Sequence, residues 1–248
     1  MTDGTDPTDS AASRSAIPHD TAIAHVPSHV LLWVVAAVTL GLDLWSKAWA
    51  FRTLKPDDAP EYLFGLITFR RSLNPGALFG MGEGLVFVFI IASVVALAFV
   101  LYLFACSSRR HHVLHVGLAF ILAGALGNLY DRVVIQVDRV SFKANPGGAV
   151  VFVGEIEGDR DADPIKLRPW SSDEPFVSHP RDQIESIQTI GVVRDFIKFE
   201  PRLLGLELWP WVFNVADMLL TVGVGVLLVC FWRMRGHPQT RGNTCSAS

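Results

Sequence analysis

The stretch WVFNVADMLLTVGVGVLLVCFW, Trp211 to Trp232, constrains the fold more than any other part of this chain. Its 22 residues (232 − 211 + 1) are apolar except for Asn214, Asp217 and Thr221. About 20 predominantly apolar residues are what a helix needs to cross the hydrocarbon of a bilayer. Three further runs share that character: Val30 to Phe51, Leu85 to Ala105 and Val113 to Tyr130. Half of the 248 residues are hydrophobic and the mean hydropathy is +0.36, too apolar for an ordinary soluble domain of this size. The expectation is an α-helical integral membrane protein with four transmembrane helices and a small extracytoplasmic β element, and four spans return both termini to one side.

Charge narrows the function classes. A net charge of −3 with a pI near 6.2 offers no basic surface for a nucleic-acid backbone, and no GxxxxGK[ST] phosphate loop is present. Cys106, Cys230 and Cys245 lack both CxxC spacing and a histidine at ligand distance, so they read as inert thiols. Residues 1–28 are rich in Thr, Asp, Ser and Ala without the basic and apolar regions of a signal peptide, and read as a disordered cytoplasmic tail; residues 233–248 read as a cytoplasmic tail. Arg109, Arg110, Arg233 and Arg235 lie close to span ends and place those ends with the cytoplasm. Arg52, Lys55, Arg70 and Arg71 pull the other way, so charge alone gives only a lean.

Between the spans, two stretches read as β structure. Residues 52–84 include YLFGLITF before Asn-Pro-Gly. An insertion over about 133–190 contains β-branched and aromatic residues on both sides of Asn145-Pro146-Gly147-Gly148, a hairpin signal. DRDADPIKLRPWSSDEP reads as a solvated loop, and IQTIGVVRDFIKF returns to strand character. Within the spans, Ala119, Ala123 and Gly127 recur every four residues, a small-residue stripe that admits a neighbouring helix. Asn214, Asp217, Thr221 and Gly225 share one face of the last span, which is expected to look inward.

A membrane helix carries an acid at a cost of roughly 2.5 to 3.5 kcal/mol at its centre. Asp217 therefore either sits at the interface or has a task. Asp43 and Lys47 are spaced i, i+4 with the acid first, which favours an ion pair and, alone, a structural role. Asn74 in LNPGALFG reads first as a turn residue, with substrate contact as the alternative. Asn128, Asp131 and Arg132 close the third span, and Arg132 is expected to hold Asp131 ionised. Asp195, in VVRDFI, and Asp217, in FNVAD, come from different elements to one membrane surface and suggest a dyad. Two close carboxyls share one proton, the equipment of an aspartic protease. The cluster His111, His112 and His115 lies away from that surface, and no metal site is expected.

The ordered set LDLWSK, LNPGALFG, GALGNLYDR, VVRDFI and FNVAD, placed against four apolar runs, resembles lipoprotein signal peptidase, or signal peptidase II, a bacterial aspartic peptidase family. The resemblance covers about residues 30–232 apart from the insertion, and implies a four-helix membrane peptidase domain over residues 29–232. It implies Asp195 and Asp217 as the catalytic pair. Asp43, Lys47, Asn74, Gly76, Asn128, Asp131, Arg132 and Asn214 become site-supporting or substrate-binding positions. The implied partners are prolipoproteins carrying a diacylglyceryl cysteine, cut immediately before it, and membrane lipid. No metal or cofactor is implied. The implied location is the bacterial inner membrane, with cytoplasmic termini and the site on the periplasmic side.

Two features depart from the family pattern. Asp131 and Asp195 are 195 − 131 = 64 positions apart where the family has only a few residues, and Leu73 stands where an Arg commonly precedes the motif's Asn, with Arg71 two positions earlier. Two other classes remain to be weighed. A proton-coupled transport component needs acids along a polar path, whereas the run Leu85 to Ala105 carries no charge; an inactive relative would most plainly lack one of the two acids.

Overall fold

The computed structural model describes residues 20–55, 60–62, 65–75, 85–143, 150–170, 174–203, 206–207 and 211–235. Four long helices carry the apolar runs: α1 (Val26–Thr53), α2 (Leu85–Cys106), α3 (His112–Val134) and α4 (Val215–Arg235). Three of them, α1, α3 and α4, are long and apolar enough along their described length to cross a membrane; α2 adds a shorter apolar stretch, Ile90–Cys106. The chain is an integral membrane protein on this showing. Helix α1 begins before Val30 because Pro27 falls in its first turn, where a missing N–H costs nothing. A 3-10 turn, Ala22–Ala24, precedes it, and the Ala22 N–H donates to the Ser107 carbonyl (2.8 Å), tying the segment before α1 to the end of α2. Residues 1–19 and 236–248 lie outside the described residues.

Helix α3 is the centre of the bundle and packs against α1, α2 and α4. Small residues allow this on two sides. Ala119 and Ala123 are fully buried, and a Cβ added at Gly127 would strike the Asp43 carboxylate of α1. On the side toward α4, Gly117 faces Val226 and Gly223, while Gly124 faces the Ala216 carbonyl and Leu220. The α4 face that meets α3 thus carries Ala216, Leu220, Gly223 and Val226. It is offset from the expected one: Thr221 and Gly225 are exposed, and Thr221 Oγ1 instead donates to the Asp217 carbonyl of its own helix (2.8 Å). Leu32, Ala36, Val100, Phe104, Leu118 and Leu122 fill the interior, whereas Trp33, Trp45, Val95 and Leu228 look outward, as lipid-facing side chains do.

The β portion exceeds the small element expected from sequence. In chain order its strands are β1 (Glu61–Tyr62), β2 (Ile67–Asn74), β3 (Gln136–Phe142), β4 (Val151–Glu157), β5 (Ile165–Pro169), β6 (Val177–His179), β7 (Ile184–Gly191), β8 (Val193–Phe199), β9 (Arg202–Leu203), β10 (Leu206–Glu207) and β11 (Val212–Phe213). A four-stranded antiparallel sheet in the order β1-β2-β8-β11 lies at one end of the bundle; β9 and β10 form a separate two-stranded ladder. The insertion folds as a five-stranded antiparallel sheet, β6-β5-β4-β3-β7. It has its own core of Val140, Ile165, Leu167 and Ile184. The hairpin expected around Asn145-Pro146 is present as the β3–β4 pair, although its turn lies outside the described residues. Part of the expected solvated loop is a strand instead: Ile165 and Leu167 of β5 point inward and Lys166 outward, a period-two pattern too short to stand out among polar neighbours. The two ends of the insertion meet, since the Val192 N–H donates to the Ile135 carbonyl (3.0 Å).

Candidate active site

Where the four-stranded sheet meets the ends of α1, α3 and α4, charged side chains are buried together. Lys47, fully buried on α1, donates to one amide oxygen and ion-pairs with two carboxylates. Its partners are Asp43 Oδ2 (2.8 Å), one turn earlier, Asn128 Oδ1 (3.1 Å) and Asp131 Oδ2 (3.4 Å). Asp43 Oδ1 in turn accepts the backbone N–H of Ala216 (2.8 Å), fastening α1 to the first turn of α4. Asp131 accepts the Arg194 guanidinium through Nε (3.2 Å) and Nη2 (2.7 Å), and the Arg194 backbone N–H (3.0 Å). A buried carboxylate is tolerated when it is paired: Asp131 is ion-paired and hydrogen-bonded, whereas the Oδ2 of Asp43 is held by the Lys47 ion pair alone.

Asp195 sits on β8, only 2% exposed, next to Arg194 of that network. A bulge in β2 decides what faces it. Phe69 pairs with Ile197 but Ser72 pairs with Asp195, so one extra residue lies between them in β2. Side chains alternate along a strand, and the extra residue moves Asn74 onto the face of Asp195. There Asn74 Nδ2 donates to Asp195 Oδ2 (3.0 Å). Asn74 therefore ends strand β2 and bonds an acid.

Asp217 lies in the first turn of α4 and is fixed by a reciprocal cap. The Asp217 N–H donates to Asn214 Oδ1 (3.1 Å), and the Asn214 N–H donates to Asp217 Oδ2 (3.1 Å). This is a capping box, with Asn and Asp in its two positions, and it explains the three-residue spacing in FNVAD. Asn214 does more than cap. Its Nδ2 donates to Asp195 Oδ1 (2.6 Å) and to Asn128 Oδ1 (3.2 Å), while Asn128 Nδ2 donates to Asp217 Oδ1 (2.8 Å). Asn214 thus joins both carboxyls directly, and Asn128 links Asp217 to Lys47.

Burial and the neighbouring Asp217 carboxylate push the Asp195 carboxyl up to about 7, against the opposing pull of the Asn214 and Asn74 amides and of Lys47. An acid of that strength exchanges protons readily near neutral pH. The half-buried Arg132 interacts electrostatically with Asp217, Asp195 and Asp131. Arg194 and Lys47 are further cationic partners of Asp131. Arg194 is the residue that sequence reading missed. Its signal was the alternation in Val-Arg-Asp-Phe, which puts the guanidinium on the face opposite Asp195.

Asp195, Asp217, Asn74, Asn128, Asn214, Lys47, Asp43 and Asp131 are therefore joined in one network of hydrogen bonds and ion pairs, with Arg132 beside it; Gly76 lies outside the described residues. His115 is apart from it, near the opposite end of α3, with a ring nitrogen 2.9 Å from Ser107 Oγ. Behind β8 an apolar cluster of Ala50, Phe51 and Phe196 receives Trp170 from the insertion, whose ring lies edge-on to Phe51 at 5.7 Å. A cavity of about 280 Å³ lies there between the two sheets, lined by Arg71, Ser72 and Leu73 of β2 and by Val153, Pro169 and Trp170 of the insertion, with Phe51. Arg71, the candidate to replace the Arg missing at position 73, donates to the Phe51 carbonyl (3.3 Å).

A family model described as Signal peptidase (SPase) II matches residues 35–233. A lipoprotein signal peptidase of Enterococcus faecalis is 29% identical over 135 residues, 51% of this chain and 84% of that relative. One from Desulfitobacterium hafniense is 23% identical over 200 residues, 81% of this chain and 91% of that relative. Among solved structures, a bacterial membrane enzyme determined by the in meso method at 2.3 Å resolution shares the fold with a TM-score of 0.52 at 20% identity, over 88% of this chain and 94% of that one.

Proposed function

This chain belongs to the signal peptidase (SPase) II family, and from that premise we propose that it is an aspartic endopeptidase with Asp195 and Asp217 as its catalytic pair. The observation that carries the reading is Asn214, which donates to Asp195 through its side chain and to Asp217 through its backbone (2.6 and 3.1 Å). With the two acids held by one residue, the Asp217 charge favours retention of a proton on Asp195. Asp195, the more deeply buried, holds the proton and donates it to the developing oxyanion of a peptide carbonyl. Asp217, half-buried in the first turn of α4, takes a proton from the attacking water. Asp217 then gives the proton it took from water to the leaving amine as the C–N bond breaks, and Asp195 recovers its proton from the hydroxyl it had protonated as the carbonyl re-forms. Arg132 favours the negative charge that the pair retains. Lys47, Asp43, Asp131 and Arg194 hold α1, α3, α4 and β8 in the register that the two acids require.

The substrates are prolipoproteins, cut before a cysteine carrying diacylglyceryl. A substrate with two acyl chains is retained by the bilayer, at about 0.8 kcal/mol per buried CH₂, so the enzyme must work at the membrane surface. The network's position supports this, since it lies where α1 and α3 end and α4 begins, against the extramembrane sheet. The chain crosses the inner membrane four times, with the acids on the periplasmic side and both termini in the cytoplasm. A transport reading is disfavoured because the polar network occupies one end of the bundle and apolar side chains fill the interior beyond it.

The test is cleavage of a diacylglyceryl-modified precursor beside its unlipidated counterpart. Asp195→Asn and Asp217→Asn are each expected to reduce cleavage of the lipidated form by at least about a thousandfold while membrane insertion persists. Full processing by either variant would refute the dyad; equal cleavage of both precursors would refute the substrate assignment.

A further inference from the structure

The end of the bundle remote from Asp195 and Asp217 carries a second concave feature. A cavity of about 620 Å³ opens between the start of α3 and the end of α4. Arg110, His111, His112 and Arg233 form its rim, with Leu114 and Cys230 among its apolar lining. Leu114 is 5% exposed, so this lining is continuous with the packed interior.

The rim is short of negative charge. Arg110 is 78% exposed, and its nearest acid is Asp20 at 4.0 Å, whose same oxygen already accepts Arg109 Nε at 2.9 Å. Arg233 has no acidic partner among the described residues. Two arginines from different elements thus line a cavity whose wall is apolar. A guanidinium is the side chain best matched to phosphate, which it bonds in a bidentate fork.

Place in the fold decides the occupant. The cavity lies where α2 has ended, α3 begins and α4 ends, which is headgroup depth for a chain whose helices cross the bilayer. An apolar wall below cations repeats the amphipathy of a phospholipid, and basic pockets between membrane helices are a known setting for anionic headgroups. We propose that this cavity binds the phosphate headgroup of an anionic phospholipid from the surrounding bilayer, with Arg110 and Arg233 as its charge partners. A free phosphate would use the rim but not the wall. The lipid anchors this end of α3 to α4 and does not take part in the acid network.

The experiment uses full-length protein in a non-ionic detergent, with native mass spectrometry and equilibrium titration counting bound phosphatidylglycerol or phosphatidylcholine of identical chains. The wild type is expected to bind phosphatidylglycerol at least about tenfold more tightly. Each arginine near a charged surface contributes roughly fivefold, so Arg110→Gln with Arg233→Gln is expected to abolish the preference, and either alone to weaken it severalfold. Arg52→Gln, at the far end of α1, is the control and should leave the preference intact. The proposal is overturned by equal binding of the two lipids, by a preference that survives in a folded double variant, or by displacement of the lipid with millimolar inorganic phosphate, which would mark a site for the free ion.

Discussion

Asn214 combines a fold role with a site role, and the two can be separated by one substitution. Serine caps a helix about as well as asparagine but lacks the amide that reaches Asp195. Asn214→Ser is therefore expected to melt within about 1 kcal/mol of the wild type while cleavage falls at least about tenfold. Its pH profile should move as well. The Asn214 amide pulls the Asp195 carboxyl down from the level set by burial and by Asp217, about 7 in their combined effect. If Asp195 must hold the proton, activity declines as pH rises through that value, and loss of the amide shifts the decline to higher pH. A profile shifted to lower pH would contradict the assignment of the proton to Asp195. Stability has its own sign. A carboxyl that holds its proton more tightly folded than unfolded contributes most below its unfolded value of 3.8, and that contribution is lost as pH rises through about 7. A shift of this size corresponds to a few kcal/mol, at about 1.4 kcal/mol for each pH unit. Asp195→Asn removes the titration, so its melting temperature relative to wild type should climb between pH 5 and pH 8. A flat difference would show that Asp195 is not raised.

The glycines of the bundle turn packing into a test at the scale of helices. At Gly127 a methyl would meet the Asp43 carboxylate, which cannot retreat because Lys47 and the Ala216 N–H hold it. Gly127→Ala is expected to cost roughly 2 to 4 kcal/mol in thermal unfolding, since it combines overpacking with disruption of a buried ion pair. At Gly225 nothing lies within 4 Å. Gly225→Ala should be neutral or stabilising by up to about 1 kcal/mol, the helix preference for alanine. Equal effects at the two positions would mean that α1 and α3 do not approach as described. The same contrast shows what was legible in the sequence. The helices themselves were readable, because apolar length states them directly. The Ala119, Ala123 and Gly127 stripe was also readable. The face of α4 was not: polarity pointed to Thr221 and Gly225, but Thr221 satisfies itself within its own helix, and the contact follows Ala216, Leu220, Gly223 and Val226. In lipid a small residue marks an approach only if the partner is known.

Taken as a whole, the molecule is a membrane bundle with a sheet inserted beside its polar network, and sequence distance hides how that network is assembled. Asp43, Asn74, Asn128, Asp195 and Asp217 come from five elements, and residue type alone marked each as costly in apolar surroundings. The Asp43–Lys47 pair was readable from its spacing and the dyad was suggested, but the bonds of Asn74 and Asp131 were not visible, because they depend on the β2 bulge and on Arg194 turning toward Asp131. The insertion was legible as β structure but not as an independent sheet, since its strands β5 and β6 are brief. That independence leads to the last prediction. The segment Asp138 to Thr189 contains all four residues of the insertion's buried core and none that bonds Asp195 or Asp217. Its flanks, Val137 and Ile190, already pair across antiparallel strands. Replacing it with Asn-Gly, which favours a two-residue hairpin turn, should leave the membrane domain closed. Closure entropy grows slowly with loop length, so the long insertion is tolerated and its removal is not expected to be costly. What the domain loses is Trp170 against Phe51 and the insertion's wall of the cavity beside Arg71. The expected outcome is a folded enzyme whose kcat stays within about threefold while KM for the lipidated precursor rises, because binding surface is removed and the acids are not. A collapse of kcat in a variant that still folds would place part of the chemistry in the inserted sheet.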